Sequence, residues 1–414
     1  MSTLPSLPAS RAIDIARWGV IVAAVGTLKS PPVAVLGWLI MLVAFLASGQ
    51  AVERVRRAMQ QPTARAAVVM FLFVAIGCLW ASVPWTQRLG VVWDWRKFLL
   101  IVVLLGLFDE RLWKLRLAAV FVGACFVGAI ATFVLSIPAI HARTGIEASQ
   151  LLRNHGTQSL AFGVAAYICL WIATDASRVA RERLIWSVAG LVILASTVFI
   201  TTARSGYLAI AILAAVFVGT RFRGRQVLVA GVVAVIAVAA LFASSTTLRN
   251  QVNRAVTEWR EATVSPVYTS MGARVTMYVN TAEIVEQHPW LGVGTGGYEE
   301  AYRQHIDGKY QKDDWRGFVT ADPHNQYMFF QVELGILGLL LFIWYLARVA
   351  FDRGDRDMWR WVAVGTLLAW AASSMFSSHF KTFAEGHLLV VFLGAMLART
   401  SMPSTASSTA RVSI

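Results

Sequence analysis

The sequence predicts an all-α polytopic membrane protein of about 12 transmembrane helices, with one large polar loop that itself contains helices. Three observations carry this. Of 414 residues, 57% are hydrophobic and only 14% charged, and mean hydropathy is +0.60; a soluble chain of this length carries more charge. Apolar runs of near-spanning length, about 20 residues, recur along the chain. Arginine gathers in alternate connections between those runs, the pattern of membrane topology. The runs are continuously apolar, which favours helices over the short alternating strands of a barrel.

In chain order the candidate spans are 15–28, 33–50, 66–83, 91–108, 117–137, 156–174, 184–201, 206–220, 227–243, 324–347, 361–377 and 388–398, the first and last being short. Residues 1–10 lack a basic n-region and a clear cleavage site, so the first run reads as a retained helix. The chain reads as a single transmembrane domain over 1–414. The segment 244–322 is a large loop between spans 9 and 10. The tail 400–414, rich in Ser, Thr and Ala, reads as disordered. Sixteen tryptophans and nine tyrosines suit interfacial belts.

Charge sets the orientation. One set of connections holds Arg54, Arg56, Arg57 and Arg65; Arg111, Lys114 and Arg116; Arg178, Arg181 and Arg183; Arg221, Arg223 and Arg225; and Arg348, Arg353, Arg356 and Arg360. The positive-inside rule makes that set cytoplasmic, with both termini. The 244–322 loop is then periplasmic in a bacterial inner membrane. The net charge of +14 lies in these short loops and forms no basic domain, which argues against nucleic-acid binding. Cys78, Cys125 and Cys169 all fall inside apolar runs, so neither a disulfide framework nor a cysteine metal site is expected.

Within the large loop a helix is expected near 248–262. A second, over 273–287, carries an apolar stripe of Val275, Tyr278, Val279, Ala282 and Val285. Pro289 stops it, and Gly292, Gly294, Gly296 and Gly297 make a turn region. That run lacks the Lys-Ser/Thr of a phosphate-binding loop and follows no strand, so a structural turn is the better reading.

The loop ends in Asp322-Pro323-His324-Asn325, at the start of a strongly apolar run. Asp322 suits an N-cap and Pro323 the first helical position, which places His324 in the first turn. The helix dipole would keep its ring neutral and able to act as a general base. Against this, a histidine there can merely satisfy backbone groups. Arg204, Arg274, Arg143, Arg153, Arg88, Arg96 and Lys97 lie on or near the same outer face. Arginine grips phosphate bidentately, so an anionic ligand would account for them. Snorkelling beside Trp85, Trp93 and Trp95 is an equal explanation for Arg88, Arg96 and Lys97. Asp355-Arg356-Asp357 matches an Asp-x-Asp pattern but lies in an arginine-rich loop and reads as solvated. No cluster with metal-ligand spacing and no serine triad stands out.

Thr201-Thr202-Ala203-Arg204-Ser205-Gly206, Gly272-Ala273-Arg274, His288-Pro289-Trp290-Leu291-Gly292-Val293-Gly294, His324-Asn325-Gln326-Tyr327 and Glu333-Leu334-Gly335-Ile336-Leu337-Gly338 occur in that order. This arrangement resembles the O-antigen ligase and polymerase superfamily of bacterial envelope biogenesis, over about 201–341. The resemblance implies a GT-C-like, metal-independent glycosyltransferase with no cofactor. Its donor would be O-antigen on undecaprenyl pyrophosphate, and a ligase's acceptor would be the lipid A–core oligosaccharide. It implies His324 as catalytic histidine and Arg204 and Arg274 as the arginines on pyrophosphate. Asn325, Tyr298 and Tyr327 are candidates for orienting sugars or His324; Arg153, Arg88, Arg96 and Lys97 are candidate substrate contacts. Glu333, deep in its helix, reads as structural. A polymerase or a protein oligosaccharyltransferase would share this fold. A lipid-linked oligosaccharide flippase is a reading of another class, but it should line a polar path through the bilayer, and these candidates cluster on one face.

Overall fold

The computed structural model describes residues 8–261, 268–355 and 357–400. The expected tail 400–414 therefore lies almost wholly outside the described residues. Among the described residues there are eighteen α-helices and no strand. In chain order they are α1 (Ala9–Lys29), α2 (Pro31–Ala47), α3 (Ala51–Ala58), α4 (Pro62–Ile76), α5 (Trp85–Trp95), α6 (Lys97–Leu107), α7 (Arg111–Leu135), α8 (Pro138–Thr144), α9 (His155–Ala173), α10 (Ala180–Phe199), α11 (Arg204–Arg221), α12 (Arg225–Ser244), α13 (Thr246–Glu261), α14 (Ser270–Gln287), α15 (Tyr298–Ile306), α16 (Gln326–Ala350), α17 (Met358–Ser373) and α18 (Phe383–Leu397).

All twelve apolar runs fall on helices, but they are not twelve equal spans. Seven helices are long and apolar enough to cross a membrane: α4 with its 3-10 extension to Leu79, α7, α9, α10, α11, α12 and α16. The pair α2 and α3, bent by 106°, makes an eighth if counted as one. The rest fall short for visible reasons. The first run sits in α1, which carries Arg11, Asp14, Arg17 and Lys29. The run 91–108 is interrupted at Arg96, leaving α6 with 11 residues. α17 has 16 residues and α18 has 15. α18 is nonetheless the centre of the bundle. Every residue from Ala384 to Leu397 is buried, against α6, α17, α1 and α9. At the other extreme α12 buries none of its residues; apolar all round, it has the character of a lipid-facing helix.

The large loop does more than rest on the bundle. α16 is broken at Gly335, whose φ of 67° interrupts the helical ladder. The glycine-rich segment after α14 fills the break. Val293 N–H donates to Val332 O at 2.9 Å, Gly294 N–H to Glu333 O at 2.8 Å, and Ile336 N–H to Pro289 O at 2.8 Å. Gly296 N–H reaches the Glu333 carboxylate at 3.1 Å. A Cβ on Gly335 would stand 2.0 Å from Trp290 O, so only glycine fits. Backbone groups freed by a helix break in an apolar layer must find partners, and 289–296 supplies them. The glycine run is thus a structural turn, and Glu333 is structural too.

α14 starts three residues before the predicted 273, and its buried face is not the predicted stripe. Gly272, Asn280, Thr281 and Ile284 face inward, while Val279 is 49% exposed. Polar partners decide the rotation. Asn280 donates to Tyr302 Oη at 3.1 Å and accepts from Lys309 Nζ at 2.9 Å, and Thr281 bonds Tyr298 Oη at 2.9 Å.

Candidate active site

The Thr201–Gly206 connection is built to aim Arg204. Gln158 donates to Thr201 Oγ1 at 3.3 Å, and Thr202 Oγ1 lies 3.0 Å from His155 Nδ1, which ties the turn to the start of α9. Gly206 lets α11 approach α9 so closely that a Cβ there would meet Ser159 Cβ at 2.2 Å. Arg204 opens α11 and grips Glu258 of α13 with both arms of its fork, Nη1 to Oε2 at 3.0 Å and Nη2 to Oε1 at 2.8 Å. That bond, with the charges of Arg204 and Arg274, holds the Glu258 carboxyl below its usual range against the opposing effect of burial.

Arg274 extends from α14 toward the connection between α17 and α18. Its Nε donates to Phe376 O at 3.2 Å and Nη1 to Ser270 Oγ at 2.8 Å. One turn on, Tyr278 Oη donates to Met375 O at 2.9 Å and His324 O at 3.2 Å. Arg274 is close enough to both Glu258 and His324 to act electrostatically on each.

His324 departs from the sequence expectation. α16 begins at Gln326, and Asn325 is its N-cap, accepting from Tyr327 N–H at 3.0 Å and Met328 N–H at 3.2 Å. His324 lies before the helix with φ 54°, the one non-glycine positive φ among the described residues. Asp322 does not cap the helix. Its Oδ1 accepts the His324 N–H at 2.7 Å and the Ser378 hydroxyl at 2.6 Å. The ring reaches solvent, yet protein crowds it enough to depress its pKa. Burial is the main cause; Arg274 and Lys381 add to it, and Asp322 opposes. The ring is thus kept neutral chiefly by lost water, aided by neighbouring cations.

Residues 374–382 form the floor, and sequence reasoning passed over them. Gln326 Oε1 accepts Phe380 and Lys381 N–H, both at 3.1 Å. Lys381 Nζ donates to Ala321 O at 2.6 Å and sits 4.4 Å from the Phe329 ring. His379 is buried with neither ring nitrogen bonded. Burial lowers its pKa, although Glu385 beside it pulls upward. Glu385 accepts from Thr157 at 2.6 Å. The available signal was composition: two histidines, a lysine and a glutamate within nine residues of an otherwise apolar stretch.

The other candidates are dispersed. Tyr298 is 1% exposed, packed with Ile284, Tyr302, Ile306 and Val332, and does not reach the site. Tyr327 bonds Ala371 O at 2.8 Å and joins α16 to α17. Arg88 satisfies Val83 O and Cys78 O and lies over Trp85. Arg96 donates to Trp93 O and covers that ring. Lys97 is buried and spends its three N–H groups on Phe380 O, Lys381 O and Thr382 O; it anchors the floor and has no free donor for a substrate. Arg153 is exposed beside Phe383.

Arg204 opens α11 and His324 precedes α16; Thr202 ties the start of α11 to the start of α9, and Thr157 of α9 bonds Glu385 at the start of α18. Residues 189–343, a segment holding Arg204, Arg274 and His324, match a family model described as O-Antigen ligase. This segment belongs to the O-antigen ligase family. No curated protein matches the chain. The match supports an enzyme of the broad O-antigen ligase or polymerase kind. With its apolar helices it is a membrane protein of the bacterial inner membrane. The matched segment stops at residue 343, so residues 374–382 lie beyond it.

Proposed function

We propose that this protein transfers O-antigen polysaccharide from undecaprenyl pyrophosphate to a sugar hydroxyl of lipid A–core, on the periplasmic face, by a metal-independent inverting displacement. The observation that carries the reading is the position of Arg274, within electrostatic reach of both the Arg204–Glu258 pair and His324. His324, neutral, takes the proton of the acceptor hydroxyl as that oxygen attacks the anomeric carbon. The bond from that carbon to pyrophosphate breaks, and the leaving group departs with the electron pair. Arg204 and Arg274 offset the charge that develops on it. Undecaprenyl pyrophosphate is already activated, so no nucleotide enters. Membrane confinement of both lipid substrates adds a proximity effect.

The test is transfer by the purified protein from lipid-linked donor to rough lipopolysaccharide. His324→Ala should abolish transfer, and Arg204→Lys and Arg274→Lys should lose most of it, since lysine has no bidentate fork. Retained transfer in His324→Ala would overturn the general-base role. Activity should survive EDTA; loss restored by metal would contradict the metal-free mechanism. A polymerase of the same superfamily is the competing reading. Core capped by a single repeat in a deletion strain would favour it, whereas bare core with accumulated lipid-linked polymer supports ligation.

A further inference from the structure

At the end of the bundle away from His324, a cavity of about 450 Å³ opens between the starts of α7 and α17 and the ends of α9 and α11. Arg111, Arg178 and Arg221 stand on its walls together with Asp175 and Asp357. Two aspartates share the lining with three arginines, and Glu182 at the rim also pairs with Arg178. The pairs are slack: Arg111 Nε is 3.9 Å from Asp357 Oδ2, and Arg178 Nε is 3.7 Å from Asp175 Oδ2. Arg178 Nε and Asp357 Oδ2 are both buried without a hydrogen-bond partner. The other contacts of these arginines are peripheral, Arg178 Nη1 to Glu182 at 3.2 Å and Arg221 Nη2 to Thr174 O at 3.3 Å. One cavity thus holds an orphan donor and an orphan acceptor, each costly to leave unpaired.

A second cavity, of about 380 Å³, runs between α9, α10 and α11. Its lining is mostly apolar, including Gly163, Leu170, Leu191 and Leu213, and Thr174 borders both cavities. A polar, arginine-lined chamber therefore adjoins a greasy groove. A soluble anion would fill only the first.

We propose that the two cavities together bind an anionic phospholipid of the phosphatidylglycerol class. Its phosphate accepts from Arg178 Nε–H and pairs with Arg111 and Arg221. A headgroup hydroxyl donates to Asp357 Oδ2, and one acyl chain lies along the groove. Basic pockets between membrane helices are a known form of headgroup site.

The test uses the purified full chain in detergent, with lipid retention followed by native mass spectrometry and stability by thermal unfolding. Phosphatidylglycerol should bind with a roughly fivefold lower apparent Kd than phosphatidylcholine and raise the unfolding midpoint. The double variant Arg178→Gln/Arg221→Gln should lose that preference. Ala214→Phe, on the exposed wall of the groove, should weaken phosphatidylglycerol binding without touching the arginines. Equal retention of phosphatidylglycerol, phosphatidylethanolamine and phosphatidylcholine would overturn the proposal. So would stabilisation by inorganic phosphate equal to that by the lipid, or unchanged binding in Ala214→Phe.

Discussion

A left-handed backbone at a histidine is uncommon and costs of order 1 kcal/mol or more; here it sits at the proposed base. Asparagine tolerates the same region. His324→Asn should therefore fold with a near wild-type unfolding midpoint yet lose roughly 10²–10⁴ in transfer rate, read in the purified assay. Lys381 helps hold the His324 pKa down. In Lys381→Gln that pKa rises, so the acid limb of the rate profile should move to higher pH, as pH-rate measurements would show. Glu258 occupies the fork that pyrophosphate would need. Glu258→Gln should lower the KM for lipid-linked donor and leave kcat little changed; a raised KM would make Glu258 a support of the arginine instead. The motifs singled out His324, Arg204 and Arg274 as candidates. Glu258 and Lys381 were not, because each acts through a partner 54 or more residues away in sequence.

Among the elements, the broken α16 is the most constrained. Gly335→Ala places a Cβ against Trp290 O in a backbone conformation closed to alanine, and should destabilise by about 3 kcal/mol or more. A lowered unfolding midpoint in detergent, or failure to accumulate folded protein, is the expected result. The sequence marked both halves of this joint, as a glycine-rich turn and as Glu333-Leu334-Gly335, without revealing that they meet. Nothing in local periodicity can, since the contact is made by backbone groups. The same blindness turned α14: hydropathy chose Val275 and Val279 for its inner face, whereas Asn280 and Thr281 are inside because tyrosines and Lys309 satisfy them. At Asp322 the local cap rule lost to a tertiary partner, Ser378.

Across the whole molecule, the charges separate to two ends. Arg204, Arg274 and Lys381 lie at one; Arg54 with Asp109, Lys114 against Met396 O and Ala398 O, and Arg399 near Asp352 lie at the other. Cysteines introduced at Asp307 and Gly354 should label from opposite sides of the membrane, Asp307→Cys from the periplasm, in whole cells treated with an impermeant thiol reagent. Each apolar run fell on a helix, but the lengths of the runs did not reveal that α18 is enclosed by protein while α12 is bare. The joint between 289–296 and 332–336 also bears on how this protein can be recombined. The two segments belong to different stretches of chain yet complete each other's hydrogen bonds, so they are exchangeable only as a pair. A chimaera that takes one from a relative and keeps the other risks stranding main-chain amides and carbonyls where no water can reach them, at a few kcal/mol apiece.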